Sequence, residues 1–139
     1  MTSLHAAGES EPPRPSLLLI DDEPTIRSAL SRYFTRRGWR VAEAENGAVA
    51  LALLHAATEG TMTFDVIVSD LKMPGFSGIE LHDQLAVEQP ELLRRLVFST
   101  GDVASDEAAA FVSRTKCLVL QKPFELSVLA EVVDRVRAG

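Results

Sequence analysis

Polar residues able to do chemistry follow four short apolar runs in this chain. Asp21, Asp22 and Glu23 follow Leu17-Leu18-Leu19-Ile20. Asp70 follows Val66-Ile67-Val68-Ser69, and Thr100 and Gly101 follow Leu96-Val97-Phe98-Ser99. Lys122 and Pro123 come just after the run that starts at Cys117. Carboxylates held within a few ångströms of one another cannot all stay ionised unaided. A divalent cation relieves that repulsion, and Mg2+ takes oxygen ligands, often one or two carboxylates together with phosphate. One carboxylate can then attack a phosphoryl group as a nucleophile. Phosphoryl transfer chiefly needs positioning and neutralised charge, which Mg2+, a lysine and a hydroxyl supply. Histidine is not required, and His5, His55 and His82 are scattered without the spacing of metal ligands.

Each residue also has an ordinary structural use. Asp21 and Asp22 suit a helix N-cap and the positive end of a helix dipole. Asp70 suits a turn, Thr100 a cap, and Lys122 before a proline a solvated loop. Met73 is expected to pack, and His82 to lie on the surface of its helix. The joint placement of the set at successive run ends is what favours the chemical reading.

The elements that must position these residues alternate along the chain. Ser16–Ile20 is a continuous apolar run, as a strand covered on both faces requires. Pro24 suits a first helical turn, Ile26, Leu30, Tyr33 and Phe34 follow at helical spacing, and Gly38 is a helix stop. A weaker strand is predicted over 39–44, and a helix over 48–57 opened by the Asn46-Gly47 turn signal. Strands over 64–69, 95–99 and 117–120 alternate with helices over 79–88, 105–114 and 125–137. Gly75, Ser77 and Gly78 mark a loop, and Ser105 is a candidate N-cap. Five such pairs predict an α/β fold, a doubly wound parallel sheet with helices on both faces. Sites in these sheets lie beyond the C-terminal ends of the strands, at a switch in strand order, which is where the polar set falls.

The bulk properties agree with that class. The chain has 139 residues, enough for one domain. At 46% hydrophobic and 24% charged it has the composition of a globular protein. A net charge of −6 argues against nonspecific attraction to DNA or acidic lipid. The single Cys117 forms no internal disulfide, fits a reducing compartment, and is expected to be a small buried hydrophobe. The first 15 residues are polar and proline-rich, without the apolar segment of a signal peptide, and read as a flexible tail. No apolar stretch is long enough to span a membrane, so a cytoplasmic location is expected.

The chain resembles the receiver domain of two-component response regulators. The residues that carry the likeness are Leu18-Leu19-Ile20-Asp21-Asp22-Glu23-Pro24, Val66-Ile67-Val68-Ser69-Asp70-Leu71-Lys72-Met73-Pro74-Gly75, Val97-Phe98-Ser99-Thr100-Gly101 and Gln121-Lys122-Pro123-Phe124. The likeness spans residues 16–137, and its wording is similar to receivers of hybrid sensor kinases. It implies a flavodoxin-like (βα)5 fold with strand order 2-1-3-4-5, a receiver unit over 16–139 and a tail over 1–15. It implies that Asp70 is the phosphoacceptor. Asp22 is then a direct Mg2+ ligand, Asp21 acts through water, and Asp70 and the Lys72 carbonyl complete the protein's share. Thr100 is the switch hydroxyl and Lys122 pairs with the phosphoryl group, or with Asp70 before transfer. Pro123 is implied to follow a cis bond, and the side chains of Lys72 and Asp102 to tune the lifetime of the phosphorylated state. The position three residues before the lysine, aromatic in many receivers, is Val119 here, and this departs from the usual aromatic coupling.

The implied partners are a sensor histidine kinase or a phosphotransfer protein, with output by protein contact, no direct nucleic acid or membrane binding, and a monomer or weak dimer. The implied chemistry is the protein's own phosphorylation and dephosphorylation and not turnover of a substrate. Other classes stay open. An aspartate-nucleophile phosphatase would carry an acid two residues after Asp70, where Lys72 stands. A nucleotide- or flavin-binding module would need a glycine-rich loop where Asp21-Asp22-Glu23-Pro24 stands. A receiver fold used only as a scaffold, or as a phosphoryl sink, is the remaining alternative.

Overall fold

The computed structural model describes residues 14–59, 63–102 and 104–139. The first thirteen residues of the expected tail lie outside the described residues. In chain order the elements are β1 Ser16–Ile20, α1 Pro24–Arg36, β2 Arg40–Ala44, α2 Gly47–Glu59 and β3 Val66–Asp70. Then come α3 Gly78–Glu88, a 3-10 helix Pro90–Arg95, β4 Leu96–Thr100, α4 Asp106–Arg114, β5 Leu118–Gln121 and α5 Leu126–Ala138. The strands form one parallel sheet in the order β2-β1-β3-β4-β5, as expected.

Alternation along each strand sorts the core into two layers, because successive side chains leave a strand on opposite faces. Leu17, Leu19, Val66, Val68 and Val97 pack with Leu30 and Phe34 of α1 and with Leu129, Val132 and Val133 of α5. Leu18, Ile20, Ile67, Leu96 and Phe98 pack on the other face. Their partners there are Leu54 of α2, Leu81 and Leu85 of α3, and Ala108 and Phe111 of α4. β1, β3 and β4 are buried at every position, which is why each carries consecutive apolar residues, Leu17 to Ile20, Val66 to Val68 and Leu96 to Phe98. Edge strands β2 and β5 are more open.

From β1 the chain passes outward to β2, then returns across β1 to β3. The order therefore switches between β1 and β3, and a crevice opens beyond their C-terminal ends. Asp21 and Asp70 stand there.

Several expectations need correction. His82 is buried at 8% exposure and is not a surface residue. Its ring meets Phe111 edge-on at 4.8 Å and Phe98 at 6.1 Å. Its nitrogens lie 3.0 Å from Asp83 Oδ1 and 3.3 Å from Thr115 Oγ1. A ring with an apolar body and satisfied nitrogens can thus sit in the stripe that α3 turns inward. Cys117 is half-buried, not fully so, and its Sγ donates to the Leu93 carbonyl at 3.3 Å. Burial pushes its thiol pKa up. Trp39 precedes β2 and is a core residue, edge-on to Phe34 at 6.1 Å. The 3-10 helix before β4 takes Arg95 out of the predicted strand. Gly78 belongs to α3, which Ser77 opens with a capping box to Glu80. Met73 is buried, Gly38 closes the turn after α1 with φ +94°, and Ser105 caps α4, all as expected.

Gly78 also sits against the site. A β-carbon there would collide with the carbonyl oxygen of Asp70 and come within 3.1 Å of Leu71 Cα and Ser69 Oγ. Gly78→Ala should destabilise the protein by about 1–3 kcal/mol, as overpacking does. A denaturant midpoint unchanged from wild type would contradict this.

Candidate functional site

The crevice gathers side chains from three strand ends. Asp21 follows β1 and is 4% exposed, and Asp22 beside it is exposed. Asp70 ends β3 at 9% exposure. One carboxylate oxygen from each of the three lies within 4.8 Å of the others. Lys122, after β5, places Nζ 3.3 Å from Asp70 Oδ2 and 3.5 Å from Asp21 Oδ2. The Lys122–Pro123 bond is cis, in agreement with the resemblance. The Lys122 amide donates to the Thr100 carbonyl at 2.7 Å, so β4 and β5 stay tied to the last residue before the loop.

Burial raises the pKa of Asp70. Lys122 pulls it back, but the charges of Asp21 and Asp22 raise it further, and the net shift is upward. Burial works to lower the ammonium of Lys122, yet the charges of Asp70 and Asp21, the hydrogen bond to Asp70 and the charge of Glu23 outweigh it. That ammonium sits above the usual lysine range. Among the described residues, Lys122 is the one cation paired with this three-carboxylate cluster, through Asp70 and Asp21, and the excess negative charge is what a dication would balance.

Thr100 is 1% exposed, and its hydroxyl is not bonded to Asp70. Oγ1 donates to the Asp102 carbonyl at 3.2 Å and accepts from the Asp102 amide at 3.1 Å. Asp102 in turn accepts from the amides of Ser105 and Ala104, and the Ser105 amide leads in holding its carboxyl below the usual range. Lys72 turns its ammonium to Asp102 Oδ2 at 3.6 Å and Glu107 Oε1 at 3.7 Å. The structure thus brings Asp21, Asp22, Asp70 and Lys122 together, and keeps Thr100 and the Lys72 side chain engaged with the loop before α4.

Three residues that touch this frame went unread in the sequence. Ser69 is fully buried and its hydroxyl donates to the Asp70 carbonyl at 2.9 Å. Glu107 meets Lys72 from the first turn of α4. Arg27 of α1 donates from Nη1 to the Asp21 carbonyl at 2.7 Å. A cation one turn into the helix after an Asp-Asp pair is the signal that could have pointed to Arg27.

The family model of the response regulator receiver domain matches residues 17–134. The chain belongs to this family. It is 30% identical over 123 residues to the chemotaxis protein CheY of Pseudomonas aeruginosa, covering 86% of this chain and 94% of that protein. It is 32% identical over 122 residues to the transcriptional activator protein PfeR of the same organism, covering 88% of this chain but only 37% of PfeR. The chain thus spans about a third of that relative's length. Among solved structures, a response regulator receiver protein from Pseudomonas putida superposes with a TM-score of 0.75 at 27% identity, covering 90% of this chain and 99% of that one. The receiver domain of a signal transduction histidine kinase from Syntrophus aciditrophicus shares the fold, with a TM-score of 0.77 at 24% identity over 90% and 91% of the two chains.

Asp21, Asp22 and Asp70 form the acidic pocket typical of a receiver Mg2+ site, and with Lys122 they are consistent with phosphoacceptor signalling. The donor set fits Mg2+: it is all oxygen, clustered, and in excess of the Lys122 ammonium that pairs with it. Receivers of this kind are typically phosphoacceptors without enzymatic turnover and partner with histidine kinases. Among the described residues, no helix is long and apolar enough to cross a membrane.

Proposed function

We propose that this receiver unit, residues 16–139 with residues 1–15 as its tail, takes a phosphoryl group onto Asp70 and signals by protein contact in the cytoplasm. The observation that carries this is the Asp70 carboxylate held at 3.3 Å from Lys122 Nζ within the three-carboxylate cluster. The donor is a phosphohistidine of a sensor kinase or phosphotransfer protein. A carboxylate oxygen of Asp70 bonds to phosphorus while the phosphorus–nitrogen bond to the donor imidazole breaks, and the imidazole keeps that electron pair. Asp21, Asp22, Asp70 and the Lys72 carbonyl would hold Mg2+, which neutralises charge on the phosphoryl oxygens. Lys122 leaves its pairing with the Asp70 oxygen for a phosphoryl oxygen. An acid two residues after the nucleophile, as a phosphatase of similar chemistry would need, is replaced by Lys72, whose ammonium points to Asp102 and Glu107.

Thr100 carries the switch. Its hydroxyl now braces the Asp102 backbone at the start of the loop leading to α4. Turning to a phosphoryl oxygen breaks both contacts and frees that loop, which biases a two-state element. Val119 sits beside Phe98 on the neighbouring strand and has no ring to swing, so the loop before α4 is the output in place of an aromatic side chain. Thr100→Ala should leave Asp70 phosphorylatable and remove the phosphorylation-dependent rise in amide exchange over residues 102–114. A mutant that still shows that rise would place the switch elsewhere.

Incubation with acetyl phosphate, with and without Mg2+, tests the whole proposal. Intact mass should show a single phosphate adduct that appears only with Mg2+. An adduct of equal yield without Mg2+, or none in a folded protein that binds Mg2+ and meets a phosphohistidine donor, would refute it.

A further inference from the structure

We propose that Arg27 is a positioning residue, which sets the Asp21–Asp22 turn so that both carboxylates face one divalent cation. This rests on the proposal that Asp21 and Asp22 hold that cation. The turn is tied at three points. The Asp21 amide donates to the Ala44 carbonyl of β2 at 3.1 Å. The Glu23 amide donates to Asp21 Oδ1 at 2.8 Å. The third tie is the 2.7 Å bond from Arg27 Nη1 to the Asp21 carbonyl. That carbonyl belongs to the peptide unit joining Asp21 to Asp22. The unit is planar, so holding its oxygen fixes the direction in which the chain leaves toward Asp22.

Arg27 is itself held. Its amide donates to the Glu23 carbonyl within the start of α1 at 3.0 Å. Its Nε donates to Glu43 Oε1 of β2 at 3.0 Å. The Arg27 side chain is only 17% exposed, against 40% for Glu43. One guanidinium therefore spans α1, β2 and the turn after β1. Its separate N–H groups reach a carboxylate and a carbonyl at once, in a fixed fork that a lysine ammonium lacks. Glu43 also occupies the charge of Arg27, so the guanidinium presents a donor to the Asp21 backbone and not a counter-charge to the Asp21 and Asp22 carboxylates.

Positioning and plain electrostatics predict opposite signs. A cation near the carboxylates repels Mg2+, so its removal should tighten Mg2+ binding. A group that orients the ligands should weaken binding when removed, typically by ten- to a hundredfold for partners of metal ligands. The experiment is calorimetric Mg2+ titration of the full chain for wild type, Arg27→Ala, Arg27→Lys, Glu43→Gln and Asp22→Ala, with thermal unfolding in metal-free buffer alongside. Arg27→Ala should weaken Mg2+ binding about tenfold. Arg27→Lys should recover only part of the affinity although it keeps the charge. Glu43→Gln keeps an oxygen acceptor for Nε but no longer occupies the guanidinium charge, so it should weaken Mg2+ binding less than Arg27→Ala. If Arg27→Ala unfolds, the comparison of Arg27→Lys with Glu43→Gln decides. Equal or tighter Mg2+ binding by a folded Arg27→Ala, or full recovery by Arg27→Lys, would overturn the role of Arg27 alone. Wild-type affinity in Asp22→Ala would instead overturn the metal site on which it rests.

Discussion

Asp70→Asn should take up no phosphate from acetyl phosphate or from a phosphohistidine donor, while remaining folded and more heat-resistant than wild type at neutral pH. The first half follows from chemistry. An amide oxygen carries no charge with which to attack phosphorus, and no other carboxylate holds the same place: Asp21 follows β1 and Asp22 is exposed. The second half follows from the strain of like charges. Burial, with the charges of Asp21 and Asp22, raises the Asp70 pKa against the pull of Lys122. A carboxyl whose pKa is raised by folding binds its proton more tightly in the native state. Its contribution to stability is therefore lost as pH rises from the ordinary carboxylate value through the raised one. At neutral pH the ionised Asp70 is a net burden on the fold, and an amide of the same shape lifts it. The gain in melting temperature should be largest near neutrality in metal-free buffer and fade in acid, where wild-type Asp70 is protonated in both states. A melting temperature equal to or below wild type at neutral pH would show that the Lys122 pairing outweighs the burial. A phosphate adduct on the mutant would remove Asp70 as the acceptor.

That much of the site could be read from the sequence for a physical reason. A parallel strand covered on both faces cannot hide its identity: Leu17 to Ile20 and Val66 to Val68 must be apolar throughout, so the first polar residue after each run marks a strand end. The switch in strand order then brings Asp21 and Asp70 together without any knowledge of loops. Side-chain states were not legible in this way. Whether Thr100 Oγ1 faces Asp70 or braces Asp102 depends on the path of the loop before α4. Arg27 and Glu43 are sixteen residues apart and meet only because α1 lies back over β2. His82 defied its type, since polarity suggested a surface place while the register of α3 put it against Phe98 and Phe111. The 3-10 helix over residues 90–95 left no sequence signal because six residues beginning at a proline are too few for a helical period to show.

Lys122 is the one cation facing both Asp70 and Asp21 among the described residues. Lys122→Ala should act in opposite directions on metal and on phosphate. Removing the ammonium leaves three clustered carboxylates without a counter-charge, so the metal-free protein should melt below wild type, since breaking a largely buried pair leaves charge uncompensated. For the same reason Mg2+ should bind more tightly, and its addition should raise the melting temperature by more than in wild type, as any ligand selective for the folded state does in proportion to its affinity. Phosphoryl uptake should nonetheless slow by about 100-fold, the low side of the loss on removing a preorganised transition-state donor, since the Lys122 side chain is 21% exposed. The ammonium of Lys122 stays charged at neutral pH because Asp70 and Asp21 outweigh its burial. Its contribution to stability is complete below the ordinary lysine range and is lost only as alkali titrates the raised group. A neutral Lys122 would give a Mg2+ response equal to that of the alanine mutant at pH 7. Slower uptake together with tighter Mg2+ binding is the signature of a residue that neutralises the transferred phosphoryl group, and slower uptake with weaker Mg2+ binding would mean that Lys122 instead holds the carboxylates in place.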